Sequence, residues 1–227
     1  EFSCRFRTDV PGGAKPTLYG HGLLGSRGET EGGSTEDLRR AGHAMCGVDW
    51  IGMSTEDITN VALILQDISM FPSLADRAQQ GFLNFLYVGR ALIHPEGAVA
   101  QAAFQAADAL APDFTRSVLG VPGINYSTLL NRSVDWEGVL FDPEDPGIPA
   151  YGSLNYLAYP DKVTQQLVFG LLQMLWDRGE GNGYAHHMTD DPYPNTPPHQ
   201  VLLEVAFGDY QVANVAAEVE ARTIGAD

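Results

Sequence analysis

Apolar and polar positions along this chain switch between two repeats, and each switch predicts a change between strand and helix. Short apolar runs at 16–20 (PTLYG) and 44–50 (AMCGVDW) read as buried strands. Residues 34–42 between them have helical spacing, with Gly42 as the C-cap. Strand, helix, strand at this spacing predicts a βαβ unit and a parallel sheet. Two further strands are expected at 117–121 (SVLGV) and 200–207 (QVLLEVAF). Ser54 and Asp57 form a capping-box pattern that opens a helix ended by Pro72. Leu74, Ala78, Phe82, Phe85, Gly89 and Leu92 then mark one face of a longer helix. The Ala-rich stretch 98–110 is helical in pattern, and 164–176 aligns Leu167, Leu171 and Leu175. Asn214 caps a last helix that Gly225 closes, and the turn-rich 142–149 (DPEDPGIP) reads as a surface loop. The expected fold is α/β, a three-layer, mainly parallel sheet flanked by helices. It would form a single domain over 1–227, with 142–199 a candidate cap or loop-rich insertion.

Charge narrows the partners. Thirteen basic against 29 acidic residues leave a net charge of −16, a field that repels phosphate backbones and anionic lipid surfaces. Nucleic acid is thereby disfavoured as a partner, and no apolar run of about 18 residues predicts a membrane span. Cys4 and Cys46 fit either a disulfide or two buried thiols. The histidines and cysteines show no His-x-x-x-His or Cys-x-x-Cys spacing. His186 and His187, near Asp190, Asp191 and His199, read as a polar loop more readily than as a metal cluster. No cofactor or metal is expected.

The most informative stretch is Tyr19-Gly20-His21-Gly22-Leu23-Leu24-Gly25. Glycines after a strand let the backbone turn sharply and aim its N–H groups at an oxyanion. In that reading His21 and Gly22 shape the turn and Leu23 donates the amide. The same glycines also fit a dinucleotide fingerprint, with Asp49 as the acidic residue of the next strand. Late in the chain, Phe207-Gly208-Asp209 follows the longest apolar strand and resembles the turn in which α/β-hydrolases hold the acid that orients the catalytic histidine. Asp209 fits equally well as a turn or capping residue. Ser127, after the third strand, is the candidate nucleophile, or else a helix cap; Ser153 ranks below it. His187 and His199 are candidate bases.

Long stretches of the chain resemble bacterial α/β-hydrolases of the esterase/lipase type: 19–26, 48–55 (VDWIGMST), 80–90, 111–132 and 173–188 (QMLWDRGEGNGYAHHM). The resemblance implies an α/β-hydrolase-like fold, a small-molecule ester as substrate, and export from the cytoplasm. It also implies a Gly-x-Ser-x-Gly elbow ahead of Ala111-Pro112-Asp113-Phe114 and a histidine beyond Asp209. The sequence contains no Gly-x-Ser-x-Gly, and reads Gln105-Ala106-Ala107-Asp108 where the elbow is implied. The expected function is carboxylic-ester hydrolysis through the early loop. A binding module without catalysis is the alternative. The oligomeric state is left open.

Overall fold

All four expected strands form, with ends shifted by a few residues, but they do not share one sheet. The computed structural model describes residues 2–97, 115–137 and 156–226. The expected helix at 98–110, the implied elbow position at 104–107, the loop at 142–149 and Ser153 lie outside these residues. The chain divides into two units: Glu1–Ile58 with Arg77–Asp113, and Thr59–Asp76 with Phe114–Asp227.

In the first unit, β2 (Lys15–Tyr19) and β3 (His43–Val48) pair in parallel, with α1 (Glu36–Arg40) between them in sequence. This is the βαβ unit that the apolar runs predict. A strand not foreseen, β1 (Phe2–Arg5), pairs antiparallel with the other edge of β3, giving the mixed order β1-β3-β2. Cys4 stands directly opposite Cys46 in that register, and the two form a disulfide. β3 is buried over five of its six residues because it is the central strand.

In the second unit, β4 (Arg116–Gly120) and β5 (Gln200–Glu204) pair in parallel, and among the described residues only with each other. The expectation of a three-layer, mainly parallel sheet is therefore overturned. A strand covered by helices on both faces is apolar and buried throughout. β4 and β5 instead alternate, with Val201 and Leu203 packed on Ile124, Ala185 and Ile224 while Val118 and Leu202 face outward. Together the five short strands make a three-stranded mixed sheet and a two-stranded parallel one.

The helices correct the sequence reading in detail. α2 (Ile58–Gln66) stops before Pro72, which sits in the first turn of α3 (Phe71–Ile93), where a missing N–H is tolerated. The expected face of α3 holds: Leu74, Ala78, Gly89 and Leu92 are buried, Phe82 and Phe85 half-buried. Short helices α4 (Tyr126–Leu129) and α5 (Val134–Glu137) follow β4. α6 (Lys162–Trp176) buries Gln165, Val168, Phe169, Leu172, Gln173 and Trp176. Leu167 and Leu171 lie exposed, so the leucine alignment marks the wrong face. α7 (Asn214–Ile224) begins at Asn214, which is its first helical residue and not its cap, and Gly225 closes it at φ +70°. Among the described residues, no helix is long and apolar enough to cross a membrane.

The capping box forms as expected and does more than cap. Asp57 is fully buried and accepts from the N–H groups of Gly52 (2.7 Å) and Ser54 (3.2 Å), the Ser54 hydroxyl (2.9 Å) and the Arg77 guanidinium (2.6 Å). Gly52, at φ +91°, passes so near α3 that a Cβ would lie 2.5 Å from the Ala78 nitrogen. Burial opposes the ionisation of Asp57, but Arg77, Ser54 and Gly52 together hold its carboxyl below the usual range. Removing it strands buried donors. Asp57→Ala should cost about 3 kcal/mol in urea unfolding near neutral pH. Because the folded value is depressed, this stabilisation is present above about pH 4 and is lost as the pH falls through the lower folded value. The parent and Asp57→Ala stability curves should therefore converge in acid.

Candidate functional site

β2 delivers the chain into the turn at residues 20–25, and side chains from the first unit fasten that turn. The His21 ring is buried, and its Nε2 accepts the Trp50 N–H at 2.8 Å. The proton therefore sits on Nδ1, which donates to the Gly22 carbonyl at 2.7 Å. The Gly22 N–H donates to Glu29 Oε2 (3.3 Å), which also accepts from the Tyr19 hydroxyl (3.1 Å). Burial and this carboxylate raise the Tyr19 phenol above its ordinary value. Gly25 N–H closes the turn onto the Gly22 carbonyl at 3.0 Å, with Leu24 in the left-handed region at φ +56°. The Thr55 hydroxyl donates to the carbonyls of Leu24 (3.0 Å) and Gly25 (3.1 Å).

These bonds sort the predicted residues of the turn. Both ring nitrogens of His21 are engaged, so it positions the backbone and is no free base. The Gly22 amide is taken by Glu29. The consecutive N–H groups of Leu23 and Leu24 make no hydrogen bond among the described residues. Leu23 is exposed, and a non-glycine residue in the left-handed region beside it is the kind of strain found at binding loops. Just beyond the turn, an open groove of about 890 Å³ includes Ser26, Arg27, Asp49, Ser54 and Thr55 in its lining. Asp49 there accepts from both the Arg27 side chain and the Arg27 N–H (2.8 Å). The carboxylate that a dinucleotide ribose would need is thus already occupied.

Ser127 and Asp209 lie in the second unit. After β4 the backbone is strained twice, at Val121 (φ +49°) and Asn125 (φ +64°). Asn125, not Ser127, caps α4: its Oδ1 accepts from the Thr128 N–H (3.2 Å) and the Ser127 hydroxyl (2.9 Å). The Ser127 N–H donates to Gln173 Oε1 at 2.9 Å. Gln173 Nε2 donates in turn to Asp177 (2.6 Å) and Glu180 (2.5 Å), and Asn182 donates to the same Asp177 oxygen (2.8 Å). Sequence reading missed this network. Its available signal was two glutamines, Gln165 and Gln173, on what proves to be the buried face of α6.

Asp209 Oδ1 accepts from the N–H groups of Gln211 (2.7 Å) and Val212 (2.8 Å). Asn214 ties the same turn by accepting from Gly208 and donating to Ala206. The candidate bases are engaged elsewhere: His187 Nδ1 meets the Asp191 carbonyl at 2.6 Å, and His199 Nδ1 the Met188 carbonyl at 3.3 Å. The His186 and His187 ring centroids lie 3.8 Å apart, with the rings tilted by 41°. Among the described residues, no three His, Cys, Asp or Glu side chains converge in a way that could hold a metal.

The chain matches no protein-family profile, no curated protein and no solved structure. Roles must therefore be tested residue by residue, and Asp209 allows a clean test. As an acceptor in its own turn, its Oδ1 is replaceable by an amide oxygen. Asp209→Asn should keep the melting temperature of the parent, whereas Asp209→Ala should lose about 1 kcal/mol. A sharp loss in Asp209→Asn would show that the negative charge matters.

Proposed function

We propose that this chain is a carboxylic-ester hydrolase of low turnover. One observation carries the reading: among the described residues, Leu23 and Leu24 hold adjacent, unengaged N–H groups in a turn whose Gly22 and Gly25 backbone groups and Leu24 carbonyl are tied down. Donors fixed before the substrate arrives need no reorganisation as charge develops on a carbonyl oxygen. Water adds to the ester carbon, and the carbonyl electron pair moves onto the oxygen held by the amides. Collapse of that intermediate breaks the bond to the alcohol oxygen, which leaves with the proton that the water gives up. No histidine is hydrogen-bonded to Ser127 or Asp209 among the described residues, so the large contribution of a nucleophile–base pair is missing. Oxyanion binding alone supports roughly 10³–10⁴-fold over water.

The test uses a short-chain nitrophenyl ester. Leu23 is the second residue of a four-residue turn, a position that suits proline. Leu23→Pro removes the N–H while keeping the turn, and should lower turnover about 100-fold with little change in melting temperature. Leu23→Ala, which keeps the amide, should turn over like the parent. Ser127→Ala should also keep its activity, and a fluorophosphonate should leave the parent unlabelled, because the Ser127 hydroxyl is bonded to Asn125. Equal activity in Leu23→Pro and the parent would remove the turn from the mechanism. Ester binding without any turnover would make the chain a binding module.

A further inference from the structure

The second unit buries two carboxylates that neither ester hydrolysis nor capping uses. Glu180 is 2% exposed, and its Oε1 accepts from Gln173 Nε2 (2.5 Å) and from the Tyr126 N–H (3.4 Å). Glu220 is 5% exposed and lies with Ala216, Ala217 and Ile224 on the buried face of α7. Its Oε2 has no hydrogen-bond partner among the described residues. The titratable groups around the pair are Tyr126 from α4 and Asp177 from the end of α6, which add no positive charge. No lysine, arginine or histidine pairs with either carboxylate among the described residues.

Two like charges in a dry site, one with an unpartnered oxygen, cannot both persist without a large penalty. We propose that Glu220, buried with an unpartnered carboxyl oxygen, keeps its proton in the folded chain, and that its loss as the pH rises loosens α7 from the Tyr126 segment. The protonated form removes the repulsion and leaves Glu180 free to keep Gln173, and through it the Ser127 amide, in place. Burial first, then the neighbouring Glu180, pushes the Glu220 carboxyl up to about 7. Burial likewise raises Glu180, against the opposing hydrogen bond from Gln173. The folded chain therefore binds more protons than the unfolded one between about pH 4.3 and the raised folded value. Stability falls as the pH climbs through that window and levels off above it.

The experiment is thermal unfolding of the whole chain at pH 5 and pH 8, comparing the parent with Glu220→Gln and Glu218→Gln. Glu218 is exposed on the same helix, so its variant removes the same charge without touching the pair. The parent should melt about 5 °C lower at pH 8 than at pH 5. Glu220→Gln should flatten that difference and melt above the parent at pH 8, while Glu218→Gln should keep it. A Glu220→Gln chain with the full parental drop would overturn the proposal, as would a Glu218→Gln chain that loses the drop equally. If Glu220→Gln does not fold, a carbon-13 titration of the parent's glutamate carboxyls decides. One resonance moving near neutrality supports the retained proton, and all of them moving below about pH 5.5 refutes it.

Discussion

The buried ring of His21 is the constraint on which the candidate site depends. β2 and β3 run in parallel, so their carboxyl ends release two loops side by side with unpaired backbone groups. A buried N–H without a partner is expensive, and the Trp50 amide is satisfied by the imidazole of the neighbouring loop. The opposite nitrogen of the same ring holds the Gly22 carbonyl, so one side chain fixes both the exit of β3 and the start of the turn. Thr55 and the bridge between Gly25 and Ser54 repeat the connection further along the two loops. Asp57 then ties the second loop to Arg77. A histidine placed for catalysis would keep one nitrogen open; this one trades reactivity for placement.

The second unit solves a similar problem with an amide in place of an imidazole. Gln173 accepts from the Ser127 N–H at one end of its amide and donates to two carboxylates at the other. Swapping its two ends would set an NH₂ against the Ser127 N–H and an oxygen against two acidic groups. Its orientation is thus determined by its neighbours. Around this network, Tyr126, Trp176 and Phe71 pack edge to face, with ring centroids 4.5 and 5.0 Å apart, enclosing the polar cluster in aromatic surface.

How far the sequence could be read depended on whether local pattern or long-range pairing decided the outcome. The runs at 16–20 and 44–50 became strands, and the capping box at Ser54 formed, because both rest on neighbouring residues. Which strand pairs with which is not local. The alternating apolar run at 117–121 looks alike in a three-layer sheet and in a two-stranded one, and β1 carries Arg5 where a central strand would be apolar. In α6 the leucine spacing was real, but polar Gln165 and Gln173 occupy the buried face, inverting the inference from hydrophobicity. At the site, glycine spacing located the turn correctly. The engagement of His21, Gly22 and Asp209 depends on partners such as Trp50 and Glu29, which no spacing rule joins to them.

The link between Cys4 and Cys46 has a mechanical consequence. It encloses residues 5–45, including β2 and the whole 20–25 turn, in a covalent ring. A pull on the amino terminus is carried across the sulfur bridge straight into β3, bypassing everything inside the ring. The turn is therefore slack under tension that would shear β1 from its neighbour. Its geometry is insulated from force on the strand that precedes it.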